Sequence, residues 1–233
     1  MMKFNQVAIG VFLLGQTLSG AALAASVTLS GSTVDFTFDD TLLGLFGQPT
    51  LSGDTLSFTP VDFQAESLNG AGYSLTNNTM NIEVSAHDGW SFSTVGLVER
   101  GDYLLLGGGS TADVAGQVRV YDVDRPLTDM TTGIAATAAL DQTGPGTHNW
   151  TADTSADLTA WEDTRTVNVT VQNLLLASTS GQTSLAFVDK KYVGLTPTTF
   201  AVSPVPEAQV SALMLAGLGL IGWQVGRRRI IGK

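Results

Sequence analysis

Through most of the chain, apolar residues recur at every second position. "SVTLSGSTVDFTF" alternates around Val27, Leu29, Val34, Phe36 and Phe38, and "DTLSFTPVDFQA" spaces Leu56, Phe58 and Phe63 around Pro60. "TMNIEVSA" sets Met80, Ile82 and Val84 against Asn81, Glu83 and Ser85, and "TRTVNVTVQNLLLAS" does the same with Val167, Val169 and Val171. "WSFSTVGLVERGDYLLLG", "AGQVRVYDVD" and "SLAFVDKKYVGL" continue in this style. A period of two in β-branched and aromatic residues places one face of a strand in a core and the other in water. Clusters such as "LNGAG", "LTNNT" and "HDGW" punctuate the runs as turns. Many short strands without a convincing long helix predict an all-β, antiparallel β-sandwich (jelly-roll-like) body over residues 25–203. Pro60 is expected at an edge or bulge, since it has no N–H to give a ladder. The stretch 125–163 is less regular, and the reading there is a short helix near 155–162 or a long excursion between strands.

The two ends break the alternation. Residues 1–24 carry Lys3, an apolar run centred on Val7–Leu14, and small residues at Ala22 and Ala24. This is the pattern of a signal peptide, with cleavage expected after Ala24 and Ala25 as the neighbouring option. At the other end, residues 208–226 carry no charge. As a helix rising ~1.5 Å per residue, such a run spans about 28 Å, close to the hydrocarbon thickness of a bilayer. Trp223 lies where an indole favours the headgroup zone, and Arg227, Arg228 and Arg229 follow as a cationic stop on the cytoplasmic side. Gly217–Gly222 fits G-x-G-x-x-G, but without a strand–turn–helix context it says nothing of a dinucleotide.

A proline-bounded motif, a spanning helix and a terminal basic cluster occur in that order in "SPVPEAQVSALMLAGLGLIGWQVGRRR". This segment resembles the PEP-CTERM sorting signal of Gram-negative bacteria. Val205, Pro206, Glu207 and Ala208 match its core, with Ala208 where the commonest form has a second proline. The resemblance covers residues 204–233 and implies processing by a membrane-embedded exosortase. The helix would tether the chain in the inner membrane, and its removal would release the body to the cell surface or medium, often in bacteria that make exopolysaccharide. The alternative is a plain C-terminal anchor that is never cut, with Pro204 and Pro206 as a stiff linker.

Composition sharpens this picture in two respects. The formal charge of −10 conceals an asymmetry, because five of the eleven basic residues lie in the terminal segments. The body from 25 to 203 has six basic residues against twenty acidic ones, a formal charge of −14. Such a body repels phosphates, so nucleic acid is not an expected partner. There is no cysteine, so an exported body has to hold together without disulfides.

Candidate chemistry is sparse. His87 and His148 are the two histidines, and no G-x-S-x-G elbow accompanies them, so a hydrolase triad is the less favoured reading. Asp39–Asp40, Glu162–Asp163 and the group Asp122, Asp124 and Asp129 are the densest carboxylates. The last group is the candidate Ca²⁺ site, because Asp122 and Asp124 share a face if the strand continues and Asp129 can loop back. Trp90, Trp150 and Trp161 form a sugar-stacking face if exposed and close a core if buried. The leading expectation is a non-enzymatic exported surface or matrix protein whose partners are the signal peptidase, an exosortase and extracellular polysaccharide. The alternative is a calcium-assisted carbohydrate-binding module, then a displayed hydrolase.

Overall fold

A computed structural model describes residues 26–161 and 163–202, together with positions 214, 215, 217, 218 and 220. Residues Ala22, Ala24 and Ala25 of the expected signal-peptide junction, Val205–Ala208 of the motif, Arg227–Arg229 and Glu162 lie outside the described residues. Met214, Leu215, Gly217, Leu218 and Leu220, all within the expected span 208–226, have helical backbone. Among the described residues no helix is long and apolar enough to cross a membrane.

The body consists of strands β1 (Ser26–Ser30), β2 (Val34–Asp39), β3 (Pro49–Ser52), β4 (Thr55–Phe58), β5 (Gln64–Leu68) and β6 (Gly72–Ala86). These are followed by β7 (Trp90–Leu106), β8 (Ser110–Asp122), β9 (Asp129–Ala135), β10 (His148–Asp157), β11 (Thr166–Thr179) and β12 (Leu185–Ala201). All pairings between named strands are antiparallel. They make two sheets, one ordered β1-β2-β6-β11-β8-β9 and the other β10-β7-β12-β4-β3, with β5 also pairing β12. The two sheets pack face to face as a β-sandwich, in which each strand turns alternate side chains to the shared core.

The alternation read from the sequence is the alternation of burial. Val34, Phe36 and Phe38 of β2, Met80, Ile82 and Val84 of β6, and Val167, Val169 and Val171 of β11 all face inward. Pro60 lies just past the end of β4, in the 59–63 segment that carries Phe63 into the core. The 155–162 segment departs from expectation. β10 runs on as a strand to Asp157, whose carboxylate then accepts from the backbone N–H of Thr159 to close a turn. The misreading has a physical cause, since inward positions Ala152 and Ala156 are too small to give a hydrophobic signal. The 125–147 stretch is ordered by β9 and by isolated bridges from Ala136 to Ala152 and from Leu105 to Thr143.

The last two strands set up the centre of the molecule. β11 returns between β6 and β8, while β12 returns in the opposite sheet beside β7. Against β7, β12 carries a bulge between Lys190 and Tyr192, so Lys191 is an extra residue. Before the bulge the inward positions are Ala186, Val188 and Lys190, and after it they are Val193 and Leu195. One inserted residue switches the parity of a strand, which is how a bulge re-aims side chains. Here it leaves Lys190 pointing into the core and Lys191 pointing to solvent.

Candidate functional site

The strands converge at two ends. One end gathers the β6–β7 turn, the 123–128 loop, residues 158–161 and 163–165, and Val202, which follows β12. Val202 is tied there by its N–H to the Gly89 carbonyl, and Ala86 by its N–H to the Arg165 carbonyl. Most of the carboxylates, histidines and tryptophans singled out in the sequence lie at this end.

Asp122 ends β8 and is almost wholly buried. Its Oδ1 accepts from the backbone N–H groups of Asp124 (2.9 Å) and Arg125 (3.2 Å). Its Oδ2 accepts from Arg125 Nε and Thr164 Oγ1, each at 2.8 Å. Burial opposes ionisation of Asp122, yet the hydrogen bonds from Thr164, Arg125 and the two backbone amides outweigh it and hold the carboxyl below its ordinary range. Asp129 accepts from Arg119 Nε at 2.9 Å, and Asp124 is exposed. The carboxylates of Asp122 and Asp129 are thus engaged by different partners, and Asp124 meets Asp122 through its backbone N–H. No group of three or more histidines and carboxylates able to hold a metal ion occurs among the described residues. Asp122 acts here as a cap for the 123–128 turn and a tie to Thr164.

The two histidines lie far apart in the pairing scheme. His87 Nε2 is 3.0 Å from Asp35 Oδ1, both side chains being about a third exposed. The Asp35 contact raises the pKa of His87, and the same contact lowers that of Asp35. The pair's stabilisation is present below the ordinary imidazole pKa and is lost as pH rises through the raised value. At the acid end it is lost as pH falls through the lowered value of Asp35. After solvent screening the pair is worth on the order of 0.5 kcal/mol or less. NMR titration is expected to place His87 above an ordinary imidazole and Asp35→Asn to bring it down; an unchanged titration would show that the pair does not form in solution. His148 starts β10 at the other end, its ring 5.5 Å from that of Tyr103. Its Nε2 is buried with no hydrogen-bond partner among the described residues.

The tryptophans do not form one face. Trp150 is buried, and its Nε1 donates to the Asp189 carbonyl at 3.1 Å. Trp90 and Trp161 are half-buried. Trp161 helps to line an open depression of about 260 Å³ with Phe92, Asp163, Arg165, Phe200 and Val202.

A constellation that the sequence reading missed lies in the core. Glu99 of β7, Asn173 of β11 and Lys190 of β12 are all completely buried. Lys190 Nζ donates to Glu99 Oε2 and to Asn173 Oδ1. The rings of Phe63 and Trp150 enclose Nζ, with centroids at 5.4 and 5.5 Å. Glu99 Oε1 and Asn173 Nδ2 have no hydrogen-bond partner among the described residues. Burying an ion pair costs several kcal/mol per ion before attraction offsets it. Each unpartnered polar atom adds about 1–3 kcal/mol. Burial pushes the Lys190 amine down, against the opposing pull of Glu99. The signal was present in the strand parity. Glu99 interrupts the inward row Val95, Leu97, Tyr103, Leu105, and Asn173 interrupts Val171 and Leu175. Only the tertiary pairing shows that the three interruptions meet.

No protein-family profile matches the chain, and no curated protein matches it. Among solved structures, that of the infectious bursal disease virus Gx strain is similar over 80% of this chain, at a TM-score of 0.30 and 10% identity. The chain spans half the length of that viral chain. The structure of TmCBM61 in complex with beta-1,4-galactotriose is similar over 58% of this chain and 89% of its own, at a TM-score of 0.22 and 10% identity. At these scores the architecture rests on this chain's own strand pairing.

Proposed function

We propose that the chain is an exported, non-catalytic surface or matrix protein, whose β-sandwich is displayed after a C-terminal membrane tether has done its work. The observation that carries this reading is the state of the described tail positions. Met214, Leu215, Leu218 and Leu220 sit on helical backbone with side chains 58–69% exposed, while the sandwich closes its own core without them. A row of large apolar side chains left in water is unfavourable by ~25 cal/mol per Å², so the segment calls for a lipid environment. Uncharged sequence from 208 to 226 followed by Arg227–Arg229 gives such a segment a length and an orientation. In this reading the signal peptidase cuts after Ala24, an exosortase cuts at the Val205–Ala208 motif, and the acidic body is released to the cell surface, where extracellular polysaccharide is its surroundings.

The experiment is replacement of Arg227, Arg228 and Arg229 by alanine in a host that carries an exosortase. Membrane retention and C-terminal processing are expected to fall together. Unchanged processing would contradict the electrostatic stop.

A second reading, carbohydrate binding, is favoured by the depression beside Val202, where Trp161 and the 49%-exposed Phe200 offer apolar surface next to Asp163 and Arg165. Tryptophan emission during titration with the host's soluble exopolysaccharide separates the two: saturable quenching that is lost in Trp161→Ala supports a binding module, and a flat response supports the structural role.

A further inference from the structure

Three strands from the two sheets each place one polar side chain at an inward position, and the three meet in an apolar, fully buried pocket. As an ion pair with a polar neighbour, the cluster is poorly made. Asn173 presents its carbonyl to an amine and leaves Nδ2 with nothing to donate to, and Glu99 uses one oxygen and leaves the other idle among the described residues. Replacing such a cluster by hydrophobic residues of similar volume is often neutral or stabilising. As reactants, however, the same groups are well arranged. An amine touches a carboxamide, a carboxyl group touches the amine, and the rings of Phe63 and Trp150 cover the amine from two sides.

We propose that Lys190 and Asn173 become joined by an intramolecular isopeptide bond, formed by the folded protein itself with Glu99 as the proton-transfer group. Within the apolar pocket, Lys190 passes a proton to Glu99, which leaves a neutral amine and a carboxylic acid. The Nζ lone pair attacks Asn173 Cγ, and the C–N bond forms as the carbonyl π electrons move to Oδ1. Glu99 delivers its proton to Nδ2 and recovers one from Nζ. The tetrahedral centre collapses, the Cγ–Nδ2 bond breaks and ammonia leaves. The product is a secondary amide between Asn173 Cγ and Lys190 Nζ, with Glu99 again a carboxylic acid. No oxidant, metal or second substrate is consumed. The direction of the Lys190 shift, downward through burial, favours the nucleophilic form.

The bond accounts for the otherwise unpaired Nδ2, which departs as ammonia, and it gives Glu99 an amide N–H in place of an ammonium. It also ties β11 of one sheet to β12 of the other at the centre of the core. The chain has no cysteine, so no disulfide can do this. The bulge that turns Lys190 inward then serves to set the nucleophile. The inference does not depend on export, and either reading can fail without the other.

The test is peptide mapping of the purified full chain by tandem mass spectrometry. Trypsin cuts an unlinked chain after Arg165 and Lys190, so that Asn173 and Lys190 end up in the peptide 166–190. In the linked chain Lys190 is acylated and resists cleavage, so the peptide runs to Lys191 and is lighter than its sequence by one ammonia. Chymotryptic cleavage between Asn173 and Lys190, at Leu174–Leu176 or Phe187, leaves the two pieces attached. A peptide of full sequence mass ending at Lys190 overturns the proposal. So does loss of ammonia with Lys190 still cut, which marks a cyclised asparagine, and so does loss of water with Glu99 attached to Lys190. Glu99→Gln is expected to restore full mass and cleavage after Lys190; retention of the bond at the wild-type level overturns the role of Glu99. Because the digest is run on denatured protein, the wild-type map decides whether the bond exists even if the variant folds poorly.

Discussion

Phe63→Ala is expected to lower the free energy of unfolding by about 3–5 kcal/mol, a large share of the about 5–15 kcal/mol that a domain commonly possesses. Phe63 is fully buried, although it lies in the irregular segment between β4 and β5. Its ring packs edge-on against Phe46, with centroids 5.5 Å apart and planes at 87°, and its other neighbour is Lys190 Nζ. The Phe63 carbonyl accepts from the N–H of Lys190 at 3.0 Å, so the segment is fastened to β12 at the bulge. Truncation removes the transfer energy of the ring and leaves a cavity beside a buried polar group, where water can enter. Urea unfolding measures this directly as a lower midpoint. A loss under about 1 kcal/mol would contradict the packing described for Phe63.

Gly101→Ala is expected to be comparably severe for the opposite reason. A Cβ on Gly101 would stand 2.0 Å from the Asp189 carbonyl oxygen and 2.7 Å from two ring carbons of Trp150. The first contact is backbone of the paired strand, one residue before Lys190, which stands opposite Gly101 at the bulge, and it cannot swing aside as a flexible side-chain tip can. Either β7 and β12 separate at this point or Trp150 leaves its place over Lys190. Overpacking typically costs about 1–3 kcal/mol and occasionally more. With backbone as the obstacle we expect the upper part of that range, about 3 kcal/mol. For a domain of this size that is a fall in Tm of about 6–12 °C. A red shift of tryptophan emission should accompany it as Trp150 is exposed. Unchanged melting and emission would mean that the Gly101–Trp150–Asp189 contact is not as close as described.

The architecture was legible where inward positions carry large side chains. Phe36, Ile82 and Val169 declare their strands, and their burial follows the two-residue period. The β10 strand was misread because its inward residues beyond Trp150 include Ala152 and Ala156, which give the alternation almost no contrast. The candidate sites divide along a similar line. Asp122, Asp124 and Asp129 are close in sequence and looked like a ligand group, but Arg119, Arg125 and Thr164 engage two of them, and those partners come partly from elsewhere in the chain. Glu99, Asn173 and Lys190 show the converse. Each is a polar interruption of an apolar row that drew no notice by itself, and their juxtaposition depends on β11 and β12 being placed in opposite sheets. Long-range strand pairing is not encoded in any local window, so a site built on it is hidden from periodicity.

The reading of this protein as an exported body with a removable tether is tested most directly by intact-mass measurement of the chain from culture medium and from membranes of an exosortase-bearing host. The account predicts that the species in the medium lacks residues 1–24 and everything near or beyond Pro206, while membranes hold chain that still carries the tail. A secreted species retaining Trp223 and Arg227–Arg229, or an unprocessed chain residing in the cytosol, would contradict it.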